Sequence, residues 1–539
     1  MKYSMKYLHY ILGAALSLAA VLNTSCTNDL LDLAPIDYYG SGSYWKTEAN
    51  FDTYIDGLHQ NMRDVAFTHD VILGELRGGS YLVGTSTDGT GVSYGEVLTQ
   101  NFDAEHTGIS NFGDYYGKIT NVNLFIARLE ASDVVPDAKK KQYLGIAYGL
   151  RAFYYFDLYR TYGNVPLRLT VEVIDGEINP VNLRMPRTDA SKVLAQIKSD
   201  IDSSLDNFGS DTSFSLGKDY WSKAATLALA GEVYLWSAKV ATLDQSAGGS
   251  ADISKAKGYY EQLLSGYGLA LQDDFAKVFS CKNKLNSEVI FAIHYDETEA
   301  TNGFNMYTYM SDGRGITATQ LNEQGETFGD PLDLNGAGGQ RYQYINNMFL
   351  AYDKADSRRL ATFLPSYDKD TYAESGVLEL YGTVCAKNSG HTNDAGVHYF
   401  DSDMIYYRLG GVYLALAEIA NYLGVNSDVE KYINLVRERG YGANWDKTLY
   451  GYKAGSFTDN ELAILAEKDK EMVMEGQRWW DVRRMTLTKD GKHLVFCPEG
   501  NPAGDGTSLL KDAEAYKVLW PINSGVMSND PSIKQTAGY

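Results

Sequence analysis

Cysteine is scarce: four residues in 539. Cys26 stands near the N-terminus, and Cys281, Cys385 and Cys497 are an odd number set far apart. An oxidising compartment would permit a bridge between two of them, but their spacing requires none. CxxC, HExxH and EF-hand patterns are absent, so no metal site and no cofactor is read from motif. The loop carboxylates Asp312, Asp368 and Asp370 do not add up to a calcium ligand set. Basic side chains are also in deficit, with 48 Lys and Arg against 69 Asp and Glu. Such a surface repels phosphate backbones and anionic headgroups, which argues against nucleic acid as a partner. Beyond residue 22 no stretch reaches about 18 continuous apolar residues, so no spanning helix is expected in the rest of the chain.

What is present begins with a leader. Lys2 and Lys6 precede an apolar run from Ile11 to Leu22, followed by Asn23-Thr24-Ser25-Cys26. A cationic head, a short apolar stretch and small residues before a break read as a secretory signal over residues 1–25. Cys26 at the break is expected to carry diacylglycerol, giving attachment to a membrane by lipid anchor only. Asn23 stands where a lipobox usually has leucine, and the alternative is plain cleavage without lipid. Removing 1–25 takes Lys2 and Lys6 and no acid, leaving a formal charge of −23.

Tyrosine is the outlier, with 42 against 19 Phe and 7 Trp. A ring with a polar tip suits half-buried helices and wet binding surfaces. Residues 27–50 read as a polar tether, and a helix starts after Thr47 and runs through Tyr54, Ile55, Leu58 and Met62. Residues 74–95 carry seven glycines among Ser, Thr and Tyr and read as a long irregular loop. Helical periodicity returns at 115–129, strongly at 142–162, and again at 404–423. Val289–Ile293 reads as a strand, and 302–340 and 365–403 as loop. Three helices place a small residue three before a tyrosine: Ala152/Tyr155, Gly231/Tyr234 and Gly410/Tyr413. The small residue should admit a neighbouring helix, and Leu409-Gly410-x-x-Tyr413 matches the core of the tetratricopeptide (TPR) helix pair.

Catalytic patterns are weak. Gly91-Val92-Ser93-Tyr94-Gly95 fits G-x-S-x-G, but Thr85-Ser86-Thr87-Asp88-Gly89-Thr90 before it is a poor buried strand. Among 69 acids no spacing singles out a carboxylate pair for glycoside hydrolysis. The segment 461–484 reads as one helix in which Glu471, Glu475 and Arg478 share a charged face. Trp479 or Trp480 fills an inter-helix gap there, a structural lock more than a site.

That segment, E-x-x-x-E-G-x-R-x-x-D-x-x-R at Glu471, Glu475, Gly476, Arg478, Asp481 and Arg484, closely resembles the signature of the SusD/RagB family. So do Tyr44-Trp45-Lys46-Thr47-Glu48, Arg151–Leu158 with Tyr162–Leu167, and Arg408-Leu409 with Glu418. Asn434-x-x-Arg437-x-Arg439 and the ending from Trp520-Pro521-Ile522 to Gly538-Tyr539 complete a set in family order over the mature chain. The resemblance implies a nutrient-binding lipoprotein of the Bacteroidetes outer membrane facing the cell exterior. Such a protein sits as a lid on a SusC-like TonB-dependent transporter and captures oligosaccharides, or in some branches oligopeptides. The implied fold is mainly α: TPR-like helix pairs in a superhelical scaffold, with long irregular loops and a few short strands. Residues 26–270 and 271–539 are then two regions packed into one compact unit.

Ligand contacts in that family come from variable loops, so the site is chosen here from the residues. Arg77, Tyr81, Asp88 and Tyr94 from the first loop, and Phe304, Tyr307 and Tyr309 from the second, offer rings beside polar atoms, which suits sugars. Binding without catalysis is the expectation, with a surface hydrolase as the alternative from another class.

Overall fold

The computed structural model describes residues 44–86, 91, 93–109, 112–171, 179, 181–303 and 319–539. Helix α1 (Glu48–Gln60) begins where Asn50 Oδ1 accepts from the Thr47 N–H at 3.1 Å and its hydroxyl at 2.6 Å. It buries Phe51, Ile55 and Leu58 on one face. Then come α2 (Gly113–Glu130), α3 (Asp137–Tyr162), α4 (Ala190–Phe208), α5 (Lys223–Lys239) and α6 (Gly249–Leu263). The second half adds α7 (Leu409–Leu423), α8 (Asn426–Tyr441), α9 (Phe457–Glu471) and α10 (Arg478–Arg484). Each helix from α1 to α8 packs on the next in sequence, and α9 packs on α7. Successive packing of this kind is how TPR-like solenoids build a frame. None of the described helices is long and apolar enough to cross a membrane.

The middle of that stack is dry. From Tyr143 onward nearly every residue of α3 is buried, and α5 is buried from Ala224 to Lys239. A helix without a polar stripe has neighbours on all sides. Close approach is visible at Gly231, where an added Cβ would lie 2.6 Å from Tyr260 Cζ on α6. The expectation that this glycine admits a neighbouring helix is met. At Gly410 the visitors are instead the Arg408 guanidinium and the Glu471 carboxylate.

Among the described residues three small sheets sit beside the helices. Strand β1 (Val289–Ile293) is wholly buried and pairs antiparallel with β7 (Met404–Arg408). Strands β2 (Gln320–Leu321), β3 (Phe363–Asp368) and β4 (Leu380–Cys385) form a second sheet in that order, and β5 (His391–Thr392) with β6 (His398–Tyr399) a hairpin. Three sequence-based expectations change here. Residues 365–403, read as loop, carry most of β3, a helix at Lys369–Ser375 and strands β4 to β6, because partners distant in sequence pair β3 and β4. Residues 404–408 are strand, and α7 starts only at Leu409, because β1 offers an edge that the apolar residues at 404–406 fill. Residues 461–484 are two helices, broken at Met474 and Gly476, both with positive φ. Gly476 needs that freedom, since the Asp70 backbone lies 2.7 Å from where its Cβ would stand.

The break serves an ionic lattice inside the frame. Arg408 pairs with Glu288 at 2.9 Å and with Glu471 and Glu475 at 2.6 Å each. Arg439 joins Glu288 and Glu471, and Arg358 joins Asp356, Glu467 and Glu471. Lys387 on Glu475 and Arg437 on Glu467 complete five formal positive and five formal negative charges. A second set, Lys239, Lys468 and Arg484 with Glu418, Glu461 and Asp481, balances at three each. Burial is tolerated because each group is paired. The signature acids and arginines are thus locks; Arg478 pairs with Asp469, not Glu475.

Candidate ligand cleft

An open cleft of about 520 Å³ lies where four segments meet: the end of α1, the short helix Arg63–Phe67, the loop after β1, and the start of β7. Gln60, Arg63, Asp64 and Phe67 line one side, and Tyr295, Ala300, Thr301, Asn302 and Gly303 the other. Phe67 is half-buried and its ring centroid is 6.1 Å from that of Tyr94. Tyr94 has φ 56°, a left-handed conformation costly for a tyrosine, and it opens the short helix Gly95–Leu98. Arg63 is anchored by donating from Nε to the His294 carbonyl at 3.0 Å and pairing with Glu299 at 2.9 Å. Its guanidinium stands 5.6 Å from the Tyr295 ring. Rings beside a fixed guanidinium, an amide and a carboxylate can hold a ligand with both flat apolar faces and polar edges.

The loop behind Tyr295 is pinned. Asp296 and Ala300 exchange backbone bonds at 3.0 Å, and the Asn302 N–H donates to the Phe400 carbonyl at 2.6 Å. Arg63 also walls a smaller polar cavity of about 90 Å³ that includes Asp56, His59, Asp219 and His294. Burial lowers His59 to about 4, so its ring is neutral near pH 7. It donates from Nδ1 to the Ile55 carbonyl and accepts the Trp221 N–H at Nε2.

The sequence-predicted residues divide. Arg77 is fully buried, 3.9 Å from the Trp479 ring centroid, donating to Gln100 Oε1 at 2.6 Å and to the Lys517 carbonyl at 2.5 Å. Tyr81 is buried as well, and its hydroxyl donates to Tyr344 Oη at 2.9 Å. Both are committed to packing and have no surface for a ligand. The reason is that 80–82 bonds to 343–345, the Leu82 N–H to the Gln343 carbonyl and the Ile345 N–H to the Ser80 carbonyl. The first half of the glycine-rich loop is therefore interior chain, entered from the helical turn Thr68–Leu73 and holding another at Leu76–Gly78. Tyr94 alone of the described candidates stands by the cleft; Asp88, Phe304, Tyr307, Tyr309 and Cys26 lie outside the described residues. Sequence reasoning missed Arg63 and Phe67, one turn apart on a short helix, and Tyr295, which reaches the cleft from a segment more than 200 residues away. The one available signal was the end of the helical pattern at Met62.

Helix pairs stacked in sequence order define a TPR-like helical scaffold. A profile described as the SusD family matches residues 287–539, and one described as "Starch-binding associating with outer membrane" matches 40–235. A SusD superfamily protein from Bacteroides fragilis NCTC 9343 is 51% identical over 92% of this chain and 100% of its own, with a TM-score of 0.87. The B. fragilis protein NanU is 34% identical over 94% of this chain and 100% of its own, at 0.79. The chain belongs to the SusD family. The surface glycan-binding protein A of Bacteroides uniformis shares the fold, at 19% identity over 90% of this chain and 99% of its own, with a TM-score of 0.63.

Proposed function

We propose that the protein is a non-catalytic cell-surface receptor that holds oligosaccharide in the cleft lined by Gln60, Arg63, Asp64, Phe67 and the 300–303 loop, with Tyr94 packed near Phe67. From there it delivers the sugar to a SusC-like TonB-dependent transporter. The carrying observation is the cleft: the half-buried Phe67 ring beside Gln60, Arg63 and Asp64 at an open mouth, with the strained Tyr94 ring 6.1 Å from Phe67. Pyranose rings present an apolar face rimmed by hydroxyls, which such a surface matches. Phe304, Tyr307 and Tyr309, which follow Gly303 in the chain, and Asp88 enter the reading by sequence alone. The name of the B. uniformis neighbour and the outer-membrane profile support a glycan ligand at that membrane. Cys26, as lipid carrier, would tether the receptor outward.

A glycan array followed by calorimetry tests this. Phe67→Ala and Tyr94→Ala are expected to weaken the best glycan about tenfold each, the loss of about 1.4 kcal/mol of ring contact. Undiminished affinity in both variants would remove the cleft, and sustained product release by the isolated protein would remove the receptor reading.

A further inference from the structure

Behind the cleft, three segments far apart in sequence bring a thiol, an imidazole and a carboxylate together. Cys281 opens the turn Cys281–Asn283, His391 begins β5, and Asp401 lies between β6 and β7. Their donor atoms all lie within 4.8 Å of one another. Asp401 Oδ1 is the hub, 3.4 Å from Cys281 Sγ and 2.9 Å from His391 Nδ1. The Asp401 side chain is 3% exposed, whereas that of His391 is 30% exposed, so the group is reachable from outside.

We propose that Cys281, His391 and Asp401 form a binding site for a borderline transition-metal dication, with zinc as the ion that fits the donor set. One sulfur, one imidazole nitrogen and one carboxylate oxygen are ligands that zinc accepts together, with a fourth position left for water. At zinc bond lengths a tetrahedral site sets S···O near ~3.6 Å and N···O near ~3.4 Å. The observed 3.4 and 2.9 Å therefore need to open by only ~0.2 and ~0.5 Å. Sγ and the ring nitrogen must close on each other by up to about 1 Å, which the half-exposed histidine can supply.

The surroundings suit ligation more than nucleophilic chemistry. In a thiol–histidine pair the imidazole stands next to the sulfur with the acid behind it. Here the carboxylate accepts from the thiol and stands between it and the imidazole, so the imidazole is not placed to draw the thiol proton. Loading releases that proton to solvent as the Sγ–metal bond forms, and the imidazole proton moves from Nδ1 to Nε2. Glu297 Oε2 lies 3.7 Å from Nε2, the outer-shell place from which a carboxylate orients a metal-bound histidine. Lys284 Nζ holds the other Asp401 oxygen at 3.2 Å, leaving Oδ1 to bind through one atom. The lysine opposes the incoming charge, and Glu297 offsets it.

The consequence for the cleft is mechanical. Lys284 Nζ also donates to the Tyr295 carbonyl at 2.6 Å, and Asp403 Oδ1 accepts the Tyr295 N–H at 3.1 Å. A metal at this hub braces the wall that carries Tyr295 whatever the cleft binds.

The test uses the mature chain with Cys26→Ser, stripped with a chelator and titrated with Zn²⁺ by calorimetry and with Co²⁺ by absorbance. One saturable site per chain, a thiolate-to-cobalt charge-transfer band and a zinc-dependent rise in Tm are expected. Cys281→Ser should abolish the band, whereas Cys385→Ser and Cys497→Ser keep it. His391→Ala should weaken zinc by more than the roughly 10–100-fold that loss of an outer-shell partner costs, and Glu297→Gln by about that amount. Absence of saturable binding by the parent chain, or an unchanged band in Cys281→Ser, overturns the proposal.

Discussion

Glu471→Gln isolates the worth of the ionic lattice, because it removes one charge while keeping volume. Glu471 is fully buried and accepts from Arg408, Arg358 and Arg439. Burial alone would raise its pKa, yet Arg439, Arg408 and Arg358 together outweigh that and hold the carboxyl well below the usual range. The amide leaves five cations facing four anions in a dry interior. Breaking a buried pair by deleting one partner costs about 3–5 kcal/mol. At about 2.1 cal/mol/K per residue, a chain of ~500 residues has an unfolding entropy of about 1 kcal/mol/K, so Tm should fall by ~3–5 °C. The assay is differential scanning calorimetry at pH 7, with Asp273→Asn as control. Asp273 pairs with Lys277 on the surface, and its loss should leave Tm unchanged. The sign with pH follows from the depressed pKa. The Glu471 contribution is fully present above the unfolded value of 4.5 and is lost as pH falls below it, so the gap between parent and variant should close in acid. Equal Tm for Glu471→Gln and Asp273→Asn, or a gap that persists unchanged into acid, would refute the reasoning.

Gly231→Ala should lower Tm by ~1–3 °C, because the new methyl meets the Tyr260 ring and overpacking costs about 1–3 kcal/mol. Gly258→Ala on α6, with open space around it, should raise Tm slightly by the same calorimetry. Asp70 carries the opposite pH sign to Glu471. Burial, with help from Glu475 and Asp157 and against His69, raises it from 3.8 to about 7. Its contribution is complete below 3.8 and is lost as pH rises to about 7, so Asp70→Asn should gain on the parent between about pH 4 and pH 7, read as Tm against pH.

Much of the frame was legible in local pattern. The helix from 142 to 162 extends back to Asp137, the strand Val289–Ile293 lies where its apolar run put it, and the end of α1 is two residues short of Met62. These elements carry their own period and caps, so neighbours in sequence suffice to read them. Failures came where a distant partner decides. Met404–Arg408 has helical spacing, but the free edge of β1 makes it a strand. Arg77 and Tyr81 looked like loop residues because nothing nearby in sequence reveals the pairing with 343–345 or the Trp479 face. The cleft and the Cys281–His391–Asp401 group were illegible for the same reason: each is assembled from segments tens to hundreds of residues apart, with no periodicity linking them.

The break at Met474–Gly476 carries a consequence for how such a chain can change over time. By turning Glu475 back toward Arg408 it closes the interior electrically, so each lattice sums to zero. A lone substitution inside strands a charge, whereas two exchanged together restore neutrality. Around the mouth, Gln60, Thr301 and Gly303 belong to no such account. Diversification should therefore proceed residue by residue at the rim and only in matched couples within the frame, leaving one chassis able to serve many cargoes.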